Sequence, residues 1–304
     1  MPHTGSTTAP PFDLQSHSTR SDGELAPAEV VAAAARAGVE LLALTDHDTL
    51  AGVAEALQAA AEHGIAVVPA IEISAIDGGG ESGIPRELHI LGYLVDHTDP
   101  AFNAALSRFL ADREHRTLRM AQSLRELGFE LDEQTIAARV SAGEPIGRPH
   151  LAQAALSHPA NAQRLSEENI DDVGSFIRGY LIEGRPAFAL RVTPTVGEAI
   201  DAIHNAGGVA IWAHPFWDVT DPIEVLSTIG RFRALGIDGV EAFYVTHTQE
   251  QTELLAHRCA ELDMLSTGSA DFHGPDNRLF SRFMAFDTHG LTPNLGPISG
   301  PLNG

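Results

Sequence analysis

The chain has 304 residues, 43% of them hydrophobic, and a formal charge of −22 from 19 basic and 41 acidic side chains. That length suits one large α/β barrel or two ordinary domains. The acidity argues against a broad duplex-DNA binder, yet it leaves room for a small anionic substrate held through metal ions.

No run of 18 apolar residues suggests a membrane span, and the start of the chain lacks the basic-then-apolar profile of a secretory signal. A single cysteine, Cys259, allows neither an internal disulfide nor a cysteine-rich zinc motif, and a reducing cytoplasm is the expected location. Residues 1–11, rich in Ser, Thr and Pro, read as a flexible tail. Pro27 opens a helix that runs through Ala37 and stops at Gly38. A buried strand follows at 39–45. Thr49 is placed to cap a helix reaching His63, which Gly64 ends. Strands come next at 65–74 and 87–95. The GGGESG run between them, 78–83, has neither the Walker lysine nor a helix start behind it, so it reads as a flexible loop rather than a phosphate cradle. Residues 99–190 break this rhythm. They are rich in Ala, Leu, Arg and Glu, and 105–128 carry the spacing of a long amphipathic helix. They read as a helical insertion lying over one end of the main domain. Alternation then returns: helix 195–208, strand 209–215, helix 222–235, strand 237–244, helix 248–262 and strand 264–274. Residues 291–304, rich in Pro and Gly, read as a second flexible tail. Strands alternating with helices over 12–98 and 191–290 imply parallel βαβ units, in a barrel or a doubly wound sheet.

The polar residues of interest follow apolar strands. His17 and Asp22 follow the short FDL segment, Asp46, His47 and Asp48 follow LLALT, and Glu72 follows VVPAI. His214 follows VAIWA, and Asp271 and His273 follow LSTGSA. His89 lies inside ELHILGY and points to one side of its strand. In α/β barrels the carboxyl ends of the strands share one face, so these side chains would meet there. Imidazoles and carboxylates without thiolate suit Mn²⁺, Zn²⁺ or Fe²⁺ in a site of several ions. Asp46 and Asp48 also suit helix capping, whereas a carboxylate in an apolar strand, Glu72, demands a partner.

The motifs DLQSHSTRSDG (13–23), LTDHDT (44–49), EIS (72–74), ELHILGY (87–93), AHP (213–215) and SADFHG (269–274) resemble, in order, those of the PHP family, named for polymerase and histidinol phosphatase. The resemblance implies a distorted (β/α)7 TIM-like barrel with an inserted helical subdomain. It implies a centre of two or three divalent ions, manganese foremost, on His17, Asp22, His47, Glu72, His89, His214, Asp271 and His273, with Glu72 bridging. Where the family opens with His-x-His, this chain has Gln15, a weak neutral donor, so two firmly held ions and a labile third are expected. The layout resembles the stand-alone phosphatases that convert nucleoside 3′,5′-bisphosphates to 5′-monophosphates, some of which trim short RNA.

In that resemblance Arg148, and with it His150, reaches from the insertion to a substrate phosphate, as a guanidinium readily does. Arg20 and Arg185 are weaker phosphate candidates, and His247 either lines the pocket or is a solvated loop residue. Metal-activated water would attack phosphorus, Arg148 would stabilise the transition state, and Asp48, His214 or His273 would handle the leaving oxygen's proton. Two rival readings stay open: a histidinol-phosphate phosphatase, and a degenerate domain that binds nucleotide or metal without turnover. The oligomeric state is not legible.

Overall fold

The computed structural model describes residues 11–80, 83, 85–142 and 146–302. The expected N-terminal tail up to residue 10, and Glu81 and Ser82 of the expected loop, lie outside the described residues. Seven strands lie side by side in chain order: β1 (Phe12–Asp13), β2 (Leu41–Leu44), β3 (Ala66–Asp77), β4 (Arg86–Tyr93), β5 (Val209–Trp212), β6 (Gly239–Tyr244) and β7 (Leu265–Ser269). The sheet curls round until Leu14 N–H donates to Gly268 O at 3.2 Å and Ser16 bridges Phe272. The fold is a distorted TIM-like barrel with helices outside.

Local sequence explains the alternation. Helix α1 (Pro27–Ala37) begins on a proline, which needs no donor there, and Gly38 ends it at φ 87°. Helix α2 (Val53–His63) ends on Gly64, also left-handed. Its cap is Gly52 rather than the expected Thr49. The Thr49 hydroxyl instead accepts from Ala51 N–H at 3.2 Å, spending itself on the turn before the helix.

The expectation of an all-parallel sheet needs correction at β4, which runs antiparallel to both β3 and β5. Only a short link joins β3 to β4, and without a crossover helix a strand must return antiparallel. This reversal has a functional consequence. It carries the start of β4, with His89, to the end of the barrel where the parallel strands finish. His89 pairs with Ser74, and side chains two apart share a face, so His89 and Glu72 point the same way.

Among the described residues five α-helices fill the insertion: α3 (Pro100–Glu126), α4 (Glu133–Ala142), α5 (Arg148–Ser157), α6 (Ala162–Glu167) and α7 (Val173–Phe176), the last running into a π-helical turn at Ile177–Leu181; α8 (Val196–Asn205) then returns to the barrel. The insertion has a core of its own, in which Met120, Leu124, Phe129, Leu151, Phe176 and Leu181 are buried. Short helix α9 (Pro215–Asp218), then α10 (Pro222–Ala234) and α11 (Gln249–Glu261), complete the outer layer. Among the described residues no helix is long and apolar enough to cross a membrane.

The Pro/Gly-rich end is a second correction. Leu295 and Ile298 are buried with Phe12, Leu41, Val68 and Leu91 inside the barrel, and Ser266 N–H donates to Asn294 O at 2.9 Å. The segment plugs the barrel mouth opposite the polar cluster. Its few apolar residues are spaced to fill that opening, which composition averaged over the segment conceals.

Candidate metal centre

The eight expected ligands meet at the carboxyl-terminal end of the barrel, and Glu72 lies at their middle. One of its oxygens is 2.7 Å from His89 Nδ1 and 3.1 Å from His214 Nε2; the other is 3.1 Å from His17 Nε2 and 3.4 Å from His47 Nδ1. His17 Nε2 is also 3.1 Å from Asp271 Oδ1. Asp22 stands between His47 and His273, 3.7 Å from a nitrogen of each. Three overlapping groups result, each with its donor atoms within 4.8 Å of one another: His17, Asp22, His47 and His273; His47, Glu72 and His89; and His17, Glu72 and Asp271.

The donor set fits divalent cations. His17 Nε2, Asp22 Oδ1, His47 Nδ1, Glu72 Oε2, His214 Nδ1 and Asp271 Oδ1 are buried without a hydrogen-bond partner. Leaving so many buried polar atoms unpaired in one place is costly unless a ligand satisfies them. Backbone strain concentrates here too. Asp48, His214 and Asp271 have φ of 56°, 28° and 54°, conformations that cost about 1–3 kcal/mol each in a non-glycine residue.

Electrostatics follow from burial and crowding. Burial opposes ionisation of Glu72, but the surrounding imidazoles, His47 and His89 foremost, outweigh it and hold the carboxyl well below its usual range. Burial opposes charge on His214 as well, yet its bond to Glu72 pushes the imidazole up to about 10. His47 goes the other way, to about 3, because burial outweighs the pull of Glu72 and Asp22. A cation must displace the protons on His214 and on His17, which is likewise raised despite its burial. Metal binding is therefore expected to release protons, and affinity to fall as pH is lowered. Calorimetry in buffers of differing ionisation enthalpy would measure this, and a heat independent of buffer would contradict it.

Other carboxylates orient the ligands. Asp46 accepts from Ser18 N–H and from the hydroxyls of Ser18 and Ser21, each at 2.7 Å, and so shapes the loop carrying His17 and Asp22. Glu241 accepts from His214 N–H at 2.9 Å and from the Ser269 hydroxyl at 2.6 Å, and burial pushes it up to about 8. Tyr244 donates to Asp271 Oδ2 at 2.8 Å. Asp13 ties the β1 end to Ala270 N–H and Met284 N–H at 3.0 and 2.7 Å. Reading only strand ends misses Glu241 and Asp13. The signal that marks Glu72, a carboxylate in an apolar strand, is present for Glu241 in GVEAFY.

Several expected contacts fall elsewhere. Asp48 is not free to move protons. Its Oδ2 accepts from Arg113 at 2.9 Å and Arg191 at 2.7 Å, and its Oδ1 from Ser74 N–H at 3.0 Å. Although burial resists it, those two guanidinium charges keep Asp48 firmly ionised. Arg20 donates to Glu55 on α2 at 3.2 Å, an outer-surface pair. Arg185 is exposed on the insertion beside Glu168 and Arg178. His150 joins the insertion to the loop of His17 and Asp22: Nδ1 accepts from Gly147 N–H at 3.1 Å, the ring also bonds the Ser21 backbone and feels Asp22, and burial, with Arg139 nearby, lowers it to about 4. His247 backs the site from behind, packing on Phe216 and Tyr244 with Nδ1 bonded to Ala242 O at 3.1 Å. Arg148 remains at the rim. It is 3.7 Å from Glu87, which Arg116 also pairs, and its charge reaches Asp218, 3.8 Å from His214 Nδ1.

A barrel carrying such a cluster at its carboxyl face is the design of a metal-dependent hydrolase. The PHP domain model matches residues 13–164, and the chain belongs to that family. A Haemophilus influenzae protein named 5′-3′ exoribonuclease is 35% identical over 87% of this chain and 90% of its own length. A Chromobacterium violaceum 3′,5′-nucleoside bisphosphate phosphatase is 30% identical over 96% of this chain and 94% of its own. A solved structure described as an amidohydrolase from C. violaceum, with bound sulfate and no metal, superposes with a TM-score of 0.80 at 27% identity, covering 96% of both chains. The protein is thus a PHP-family phosphoesterase.

Proposed function

We infer that the enzyme removes the 3′-phosphate of nucleoside 3′,5′-bisphosphates and also trims short RNA from its 5′ end. One observation carries this reading: a carboxylate ringed by four imidazoles, with unpaired donor atoms facing inward, stands beside a half-buried arginine whose guanidinium is only loosely paired. The relatives named for a bisphosphate and for RNA support it.

His17, Asp22, His47, Glu72, His89, His214, Asp271 and His273 would hold two or three divalent ions, manganese foremost, with zinc or iron(II) as alternatives of similar ligand preference. Bound ions supply Lewis acidity to the phosphoryl group and make hydroxide available near neutral pH. Arg148 binds and orients the phosphate from the insertion side, offering two parallel donors. Glu241 and Asp46 hold His214 and the His17 loop in place. His214 and His273 serve as ligands and, while so engaged, carry no proton to the leaving oxygen.

Gln15 stands two residues before His17, where an imidazole is expected, and an amide is a weaker metal donor. Its Oε1 lies 3.3 Å from the Ser269 hydroxyl, which is closer to Glu241 at 2.6 Å, and its Nε2 is buried without a partner. Two ions would be held firmly and the third would exchange. Gln15→His is expected to add one tightly bound ion per chain by elemental analysis; a wild-type protein that already retains three through desalting would contradict this.

Phosphate release from adenosine 3′,5′-bisphosphate and histidinol phosphate, and mononucleotide release from a short RNA, each with Mn²⁺ present, test the reading. Bisphosphate is expected to be preferred. A preference for histidinol phosphate would replace the proposal, and inactivity on all three would favour a binding domain.

A further inference from the structure

The chain has two tryptophans, and they sit in opposite environments. Trp212, on β5, is fully buried, whereas Trp217 is 51% exposed. Trp217 lies in α9, three residues after the ligand candidate His214. Its neighbour Asp218 approaches His214 Nδ1 at 3.8 Å. Trp217 packs against Phe280 with ring centroids 5.7 Å apart, and Phe280 in turn packs against His273 at 5.4 Å and Tyr244 at 6.3 Å. His273 N–H donates to Phe280 O at 2.9 Å, so the Phe280 loop is fixed to the ligand loop. A row of rings therefore leads from the metal centre to the surface, and its outermost member is open.

A large aromatic ring left half in water forgoes much of the stabilisation that burial would give it. Packing of the barrel does not require this ring, since the Phe280 and Tyr244 contacts close the layer beneath it. Every nucleobase has a flat π-face, and base–aromatic stacking is both substantial and tolerant of base identity. Resting on the bisphosphatase reading, we propose that Trp217, backed by Phe280, is the shelf on which the substrate's base stacks while its phosphate lies between the metal cluster and Arg148. The shelf makes the preferred substrate a nucleotide rather than a bare sugar phosphate. For short RNA it would hold the terminal base.

Binding of adenosine 5′-monophosphate and of ribose 5-phosphate, measured by calorimetry on the metal-loaded protein, tests this without turnover. Wild type is expected to favour the nucleotide. Trp217→Ala is expected to shrink the ratio of the two dissociation constants about tenfold, within what one stacked base supplies, and Trp217→Phe to restore most of it. In steady-state assays the loss should appear in KM for adenosine 3′,5′-bisphosphate rather than in kcat. An unchanged ratio in Trp217→Ala, or an equal loss for both ligands, overturns the shelf. So does a wild type that hydrolyses the bisphosphate yet binds both ligands alike, and in that case the bisphosphatase reading stands. A wild type that neither hydrolyses the bisphosphate nor binds either ligand overturns both.

Discussion

Glu72→Gln is expected to lower phosphate release by more than about 100-fold, the upper end of the cost of losing a group that merely supports a metal ligand. The substitution keeps size and removes one negative charge. That charge is the common counterpart of His17, His47, His89 and His214, and it is 1% exposed. Among the described residues no other carboxylate touches all four rings. The metal content of purified protein should fall by at least one ion per chain. The gain in Tm on adding Mn²⁺ should shrink in parallel, because a ligand stabilises the folded state only as far as it binds. The metal-free variant should still fold, since the imidazoles left without a counterion can give up their protons, as a guanidinium cannot. Wild-type metal content with wild-type turnover would refute the bridging role.

How much of this was legible in the sequence depends on the kind of signal. The positions of the candidate ligands were visible because most follow or interrupt an apolar strand pattern, and strand ends converge in a barrel. The helical character of 99–190 was visible in its spacing. Strand direction at β4 was not, since an apolar run reads the same in both directions and only the length of the link to β3 carries the information. Nor were the arginine contacts. Arg113 lies within the insertion and Arg191 just past its end, and both look like ordinary surface residues of helical or loop segments. Only the fold reveals that both point into the barrel. The same holds for Arg20, where proximity in sequence to Asp22 suggested a phosphate contact, but the side chain turns outward to Glu55. The tail at 291–304 misled for another reason: composition measures average polarity, while Leu295 and Ile298 act singly as plugs.

Asp48 makes the strongest case for reading charge from structure rather than from motif. In the LTDHDT motif it looks like a free carboxylate beside a ligand. In the fold it joins the barrel to the insertion. Arg113 comes from α3 and donates also to Ile146 O at 3.0 Å; Arg191 comes from the insertion's far end and donates also to Phe109 O at 2.7 Å. All three side chains are almost wholly buried. A buried ion network contributes little compared with an apolar replacement of the whole, but removing one member strands the others. Asp48→Asn is therefore expected to cost about 3–5 kcal/mol, a fall of roughly 10 °C in Tm for a chain of this size. Asparagine tolerates the left-handed backbone at this position, so the loss would report charge rather than strain. Replacing Arg191 by Met in the same protein should recover part of the loss, because one stranded cation is gone, and the double-mutant cycle should show that coupling. Turnover per folded molecule should drop far less than in Glu72→Gln, with no change in the pH profile. A variant as stable as wild type but inactive would return Asp48 to the reaction and dismiss it as the anchor of the insertion.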